Sequence, residues 1–178
     1  LHCREYFHME DMIKPNNGWF CNIDHMAAHG LGKAKKNKVK ADKKSHTKAK
    51  KDLKDNDKRF QADKAQMYFN KFIRLRDAGD VCISCQKPPR KKNAGHYLSR
   101  GAHPELRFHP LNCHLQCEHC NSFKSGNQAL YRTHLIEKVG IADVEWLEGP
   151  HKAAKYTIED LKEIQEKYKS LIKEQESC

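Results

Sequence analysis

Cys82-Ile-Ser-Cys85 and Cys117-Glu-His-Cys120 are two C-x2-C pairs with 31 residues between them. Each pair lets two sulfurs from one tight turn approach a single ion at about 2.3 Å, so four thiolates complete the coordination sphere of zinc and leave no open position. Such an ion stabilises a fold and does not hydrolyse a substrate. We therefore expect a structural Zn²⁺ bound by Cys82, Cys85, Cys117 and Cys120.

The same cysteines could instead form two disulfides or a thioredoxin-like redox pair. Those alternatives need an oxidising compartment or a βαβ pattern around one C-x2-C pair. The sequence shows no such pattern, no signal-peptide-like apolar segment and no apolar run of membrane-spanning length. We expect a cytoplasmic protein with reduced thiols and no membrane partner.

Positive charge is concentrated in one part of the chain. Of the 178 residues, 32% are charged and 38% are hydrophobic, which suits one modest domain whose small core gains from a bound metal. The formal net charge is +11, and residues 33–59 hold thirteen Lys or Arg against four Asp, a local net charge of +9. This block attracts polyanions by counterion release, unless it only keeps the protein soluble. Nucleic acid is the expected partner.

Composition divides the chain into four regions, with predicted boundaries at 1–32, 33–78, 79–140 and 141–178. The first is a predicted N-terminal zinc knuckle, because Cys21-x3-His25 has the spacing of metal ligands and Cys3 would be a third ligand. A fourth ligand is not evident, and free buried thiols are the alternative.

The second and fourth regions are predicted to be helical. In 33–78, a basic linker, the first half lacks an apolar stripe and is either a solvated helix or disordered until it meets a polyanion. In its second half, Ala65, Phe69, Phe72, Ile73 and Arg76 recur at three and four residues, which predicts one face packed on the core. The C-terminal segment 141–178 contains a helix with Thr157 as N-cap and Asp160 three residues later, for packing or dimerisation.

The third region, 79–140, is predicted to contain a hairpin between the two cysteine pairs. Residues 94–98 and 106–108 resemble two short strands joined by the turn-rich stretch 99–104. A short helix should follow Cys120, break at Gly126 and resume up to Gly140. The expected fold class is therefore α+β, with a zinc-stapled hairpin followed by a helix.

Three polar residues near this hairpin suit phosphodiester hydrolysis. His96 would be the general base, because its ordinary pKa near 6.5 suits proton abstraction at neutral pH. Asn112 would orient the imidazole through its carboxamide or its backbone carbonyl. Asn121 would offer a side-chain oxygen to a Mg²⁺ or Mn²⁺ ion, since these hard ions prefer oxygen ligands.

Several neighbouring residues have a weaker claim to the site. Arg100, Arg107 and Lys124 would flank and hold the scissile phosphate, although as ordinary surface charges they need no explanation. Other candidates for base or ligand are His103, His109, His114 and His119, of which His114 is the strongest because it is close to Asn112 in sequence. Cys113 is expected to be a buried thiol.

The motifs resemble those of the NinG, or Rap, recombination nucleases of lambda-type phages. The resemblance rests on Cys82-x2-Cys85, Asn93-Ala-Gly-His96-Tyr97, Leu106-Arg-Phe108 and Asn112-Cys-His-Leu-Gln-Cys117-x2-Cys120-Asn121-x2-Lys124-Ser-Gly-Asn127. Those proteins are similar to HNH, or His-Me finger, nucleases with a ββα-metal core, as in the phage resolvase endonuclease VII. The resemblance implies a DNA endonuclease that acts on branched recombination intermediates such as D-loops and Holliday junctions.

Carried over by motif, His96 matches the first histidine of the HNH pattern, Asn112 the middle asparagine and Asn121 the last metal-binding position. Gly95 stands where many HNH enzymes have a second metal ligand, so weak metal binding is expected, with Asn93 as a substitute ligand. A homodimer and contacts with other recombination proteins are further expectations. The alternatives are a non-catalytic zinc-dependent DNA-binding accessory protein of recombination and an RNA-binding zinc protein.

Overall fold

The structure, a computed structural model, describes residues 8–14 and 18–177. It contains two compact units, residues 1–53 and 54–178. The helices and strands of the described residues are, in chain order, α1 (Ile23–Asp55), α2 (Lys58–Arg76), β1 (Lys92–His96), β2 (Cys113–Cys117), α3 (Gln128–Val139), α4 (Ile141–Glu148) and α5 (Ile158–Glu176). None of these helices is long and apolar enough to cross a membrane.

The first unit consists mainly of α1. An antiparallel bridge between Ile13 and Phe20 precedes it, and the Asn22 side chain caps its start by accepting a 2.8 Å hydrogen bond from the His25 backbone N–H. The helix continues through the predicted boundary at residue 32, and none of its residues is buried. Of the two possibilities for the basic block, the structure has the solvated helix.

Helix α2 belongs to the second unit and packs its apolar face against the core of that unit, as expected from its sequence. Asp57 caps it by accepting hydrogen bonds from the backbone N–H groups of Arg59 and Phe60. Its buried residues are Gln61, Ala65, Gln66, Phe69, Phe72 and Ile73. They contact α5 and both strands of the hairpin.

Helix α5 covers the other side of this core. The capping box at its start is confirmed, because Thr157 and Asp160 each accept a hydrogen bond from the other's backbone N–H, at 3.1 and 2.7 Å. Its stripe is buried at Leu161, Tyr168 and Ile172 in one cluster with the apolar face of α2. The packing role expected for α5 is confirmed, and its role in dimerisation stays a prediction.

The two strands form an antiparallel pair, but not with the predicted boundaries. Strand β1 pairs with β2 in a register that sets Lys92 opposite Cys117 and His96 opposite Cys113. The prediction of a second strand at 106–108 was wrong, because Leu106 and Phe108 instead anchor the long loop 97–112 in the core. Strand β2 was missed although apolar and polar residues alternate along it. Both of its faces are covered, so the polar His114 and Gln116 are buried together with Cys113 and Leu115.

Gly95 in β1 is required by close packing across the hairpin. A Cβ atom at this position would lie 2.1 Å from Oε1 of the buried Gln116. The Gly95 carbonyl accepts a 2.9 Å hydrogen bond from the hydroxyl of Tyr131 in α3. Helix α3 begins after a π-helical turn, His119–Phe123, and ends at Gly140 as expected. The hairpin, the turn and α3 are thereby fixed to one another.

Candidate functional site

The four cysteines of the paired motifs come together beside the hairpin. The sulfur atoms of Cys82, Cys85, Cys117 and Cys120 all lie within 4.8 Å of one another. The Cys85 and Cys117 sulfurs are 3.9 Å apart, and tetrahedral zinc with bonds of 2.3 Å requires about 3.8 Å. The donor set and its size therefore fit Zn²⁺.

Backbone and side-chain contacts hold this cluster in place. The first cysteine pair joins β2 through the Ile83 N–H, which donates to the Leu115 carbonyl at 2.9 Å. Around the second pair, the Cys120 N–H and the Asn127 side-chain amide donate to cysteine sulfurs at 3.4 and 3.7 Å. These donors stabilise thiolates, so the cluster is suited to a structural ion and ties β2 to the π-helical turn.

The second predicted zinc site is only partly within the described residues. Cys21 Sγ lies 2.7 Å from His25 Nδ1, at the start of α1, but Cys3 lies outside the described residues. Among residues 8–14 and 18–177, the four-cysteine cluster is the only group of three or more potential ligands. A zinc ion bound by Cys3, Cys21 and His25 stays a prediction.

His96, at the end of β1, is held by one ring nitrogen. Its Nε2 lies 2.9 Å from the Arg107 carbonyl, which can only accept, so Nε2 carries the proton and Nδ1 carries the lone pair. Burial and, less strongly, the charges of Arg100 and Arg107 lower the pKa of His96 to about 4. This pKa is well below the ordinary value expected from the sequence, so the imidazole is neutral at pH 7 and able to accept a proton but is a weaker base than expected.

His96 and Asn121 line one cleft, with a volume of about 420 Å³. It lies where α2, the hairpin and the segment after the second cysteine pair meet. No carboxylate is among the residues that line it, which are Asn70, Arg74, Asn93, Ala94, His96, Tyr97, Ser99, Arg100, Asn121, Ser125, Gly126 and Gln128. A cleft with two guanidinium groups and many amide and hydroxyl groups is suited to an anion.

Asn112 has different partners from those expected. Its fully buried carboxamide accepts a hydrogen bond from the Leu98 N–H at 2.8 Å and donates to the Leu98 and Leu106 carbonyls at 3.0 and 3.2 Å. Its backbone carbonyl accepts from the Tyr97 N–H. Because these backbone groups need partners inside the fold, Asn112 holds the loop, and the Arg107 carbonyl on that loop orients His96.

The three predicted phosphate-binding residues have different surroundings. Arg100 is exposed and lines the cleft. Arg107 points instead to α2, where its Nε donates to the Gln66 side-chain oxygen at 2.9 Å, and its charge stacks on Phe108. Lys124 is exposed but does not line the cleft. Arg107 differs from the expectation because α2 offers it acceptors within the fold.

His114, the strongest alternative base, belongs to a buried network. Its Nδ1 accepts from Arg76 at 3.0 Å and its Nε2 donates to the Leu111 carbonyl at 3.1 Å, so both nitrogens are used within the fold. Burial, with the nearby Arg76 charge, lowers the pKa of His114 to about 4. Its neighbour Cys113 is a fully buried thiol, as expected. The other candidates, His103, His109 and His119, also lie outside the cleft lining.

Two cleft residues were not predicted from the sequence. Asn70 and Arg74 lie on α2, one helical turn apart, and both line the cleft. The sequence signal was a polar pair at i and i+4 beside the buried stripe, but such pairs usually face solvent. The pair lines the same cleft as His96 only because the loop 97–112 and the hairpin pack against α2.

The fold and the site define a mostly helical protein in which a two-strand hairpin and a four-cysteine cluster hold a basic cleft. The family model described as Bacteriophage Lambda NinG protein matches residues 2–177, and the chain belongs to this family. Two proteins named ninG, from Salmonella phage P22 and Escherichia phage lambda, are 36% and 34% identical to it, with 97% of this chain and 89% of each relative covered. No solved structure matches the chain.

Proposed function

We propose that the protein is a metal-dependent endonuclease that hydrolyses phosphodiester bonds in branched DNA, such as D-loops and Holliday junctions. The observation that carries the proposal is the single cleft shared by His96 and Asn121. The order of hairpin, second cysteine pair and helix supports an HNH-type ββα-metal arrangement, with His96 on β1 and Asn121 in the turn before α3. Membership of the NinG family is consistent with this chemistry.

His96 is the general base in this proposal. With Nε2 donating to the Arg107 carbonyl, Nδ1 accepts a proton from water as the water oxygen attacks phosphorus and the bond to the leaving sugar oxygen breaks. In the structure Nδ1 has only a 3.7 Å contact with the Cys113 sulfur, and a thiol is a weak donor. A water molecule in the cleft would have to replace this weak contact at Nδ1.

Asn121 is the proposed ligand of a Mg²⁺ or Mn²⁺ ion, with Asn93 as a second amide in the same cleft. When bound, such an ion would act as a Lewis acid on the phosphate and stabilise the leaving oxygen. Amide oxygens fit these hard ions, but the lining offers no carboxylate, so the affinity in the absence of DNA should be low. The four-cysteine cluster, with proposed Zn²⁺, has the structural role.

The proposed partner is branched or single-strand-containing DNA in the cytoplasm of the bacterial host. The exposed basic residues of 33–59 would supply affinity for phosphates without sequence preference. Branched DNA would then be recognised by the positions of its phosphates in space. A homodimer would make symmetric cuts across a junction, and other recombination proteins are proposed as further partners.

A second function is a non-catalytic, zinc-dependent DNA-binding accessory protein of recombination. It is favoured by one observation, the lack of any carboxylate in the cleft lining. Under this alternative, His96 and Asn121 have no catalytic role. Their replacement would leave the effect of the protein on recombination unchanged.

Cleavage of a synthetic four-way junction, beside a linear duplex of the same sequences, distinguishes these functions. We expect the wild type to cut the junction with Mg²⁺ and not with EDTA, and His96→Ala to bind the junction without cutting it. His119→Ala is the matched control, because His119 is exposed and outside the cleft lining, and it should cut normally. A wild type that binds every branched substrate but cuts none would refute the endonuclease and support the accessory protein.

A further inference from the structure

Two arginines of the cleft have no protein partner among the residues that the structure describes. Neither Arg74 nor Arg100 has a hydrogen bond or an ion pair there, although both line the cleft. Arg76 and Arg107, by contrast, use their guanidinium groups within the fold, on Asp77 and on Gln66. Two guanidinium groups without a protein partner in a carboxylate-free cleft are suited to bind an anion.

Asn70 is oriented as a donor toward the same cleft. Its side-chain oxygen accepts a 2.8 Å hydrogen bond from the Gln66 amide, which leaves its own amide N–H groups for a ligand. Gln66 is in turn held by Arg107, whose backbone carbonyl anchors His96. A continuous chain of hydrogen bonds therefore fixes Asn70 relative to the imidazole of His96.

Arg74 and Arg100 line the same cleft as His96. Both lower the pKa of the buried Cys113 thiol, although burial raises that pKa well above its ordinary value by a larger effect. Cys113 Sγ lies 3.7 Å from Nδ1 of His96. Arg74 lies on α2 and Arg100 lies on the loop after β1, so the two arginines line the cleft from different elements.

We propose that Arg74, supported by Asn70, binds the phosphate that is cut, together with Arg100. Helix α2 then has two functions, since one face packs the core and its flank forms a phosphate-binding wall of the cleft. A planar guanidinium donates two parallel hydrogen bonds to phosphate oxygens, which positions the phosphorus for water activated by His96. The inference rests on the proposed endonuclease function and assigns one of its substrate-binding groups.

Single-turnover cleavage of the four-way junction at saturating protein tests Arg74 directly. We expect Arg74→Gln to slow cleavage on the order of 10- to 100-fold, and Arg74→Lys to recover part of that loss because the charge remains but the fork is lost. The matched control is Arg90→Gln, which removes the same charge from an exposed position before β1, outside both the basic block 33–59 and the cleft lining. It should leave the single-turnover rate within about twofold of wild type.

Binding of the uncut junction in EDTA separates failure of this inference from failure of the proposed function. The logarithm of the binding constant falls with the logarithm of the salt concentration, and the steepness of this line reports the number of phosphate contacts. Arg74→Gln should make the line less steep by an amount that corresponds to about one contact. If the wild type cuts and Arg74→Gln, folded by circular dichroism, cuts at the wild-type rate with an unchanged slope, the assignment of Arg74 is overturned. If the wild type never cuts but the slope falls, the phosphate contact stands and the endonuclease proposal fails.

Discussion

At the scale of single residues, the site depends on which partner each polar side chain takes. His96 gives one nitrogen to a backbone carbonyl and keeps the other as a base, whereas His114 uses both nitrogens within the buried network with Arg76. The two histidines have the same lowered pKa, about 4, for the same main reason, burial. Access to the cleft, rather than the pKa, distinguishes the candidate base from the structural histidine.

The titration of these two histidines is a direct prediction. By NMR of the imidazole carbon-bound protons, His96 and His114 should remain neutral down to about pH 5 and titrate near pH 4. Because the unfolded chain binds these protons near pH 6.5, the free energy of unfolding should fall from pH 6.5 to 4, by about 1.4 kcal/mol per pH unit for each histidine. A titration midpoint near pH 6.5 would contradict the burial of both rings.

Asn112 is predicted to act on stability as well as on cleavage. Asn112→Ala removes three buried hydrogen bonds and leaves the Leu98 and Leu106 backbone groups without their partner. We expect the free energy of unfolding in urea to fall by about 2–4 kcal/mol. Asn93→Ala, in a half-buried position on β1, is the control. Equal stability of the two variants would show that Asn112 does not hold the loop.

At the scale of elements, the sequence predicted those parts whose signals are local. The capping box of α5, the stripe of α2 and the stop at Gly140 were all evident from residue spacing. Strand β2 was missed although its residues alternate between apolar and polar. Its burial on both faces depends on α2 and on the segment 119–135, which pack there only in the folded chain. The cleft also forms only in the folded chain. Its residues His96, Asn121 and Arg100 were predicted from the sequence, but the contribution of α2 was missed.

The contact between α5 and the loop 97–112 gives a prediction at this scale. The buried Tyr168 hydroxyl donates to the Phe108 carbonyl at 2.7 Å, whereas the Tyr156 hydroxyl makes longer contacts of 3.2 and 3.4 Å with the same loop. Tyr168→Phe should lower the free energy of unfolding by about 1–2 kcal/mol, and Tyr156→Phe by less than about 1 kcal/mol. Urea denaturation of both variants measures the difference. The reverse order would contradict the proposed anchoring of the loop by α5.

At the scale of the whole molecule, the two units differ in how they are stabilised. The second unit has two apolar clusters and the four-cysteine cluster, whereas the described part of α1 has no buried residue. A metal that joins β2 to the π-helical turn contributes directly to the folding of the second unit. The helical content of the first unit, residues 1–53, should depend less on that metal than the folding of the second unit does.

Zinc content and thermal unfolding test this division. We expect Cys117→Ser to lose one zinc ion per chain and to lower the thermal midpoint of the second unit by roughly 10 °C or more. Cys113→Ala removes a cysteine that lies outside the cluster and should keep the zinc ion. Equal zinc content in wild type and Cys117→Ser, by elemental analysis, would refute a metal site at the paired motifs.

The most direct measurement of the central claim is a double-mutant cycle of single-turnover junction cleavage with His96→Ala and Asn121→Ala. Residues that act as a unit on one phosphate give non-additive losses. We predict that each variant binds the junction but cuts it at least about 100-fold more slowly, and that the double variant is little slower than the worse single one. Two folded single variants that both cut within about threefold of the wild-type rate would contradict the account.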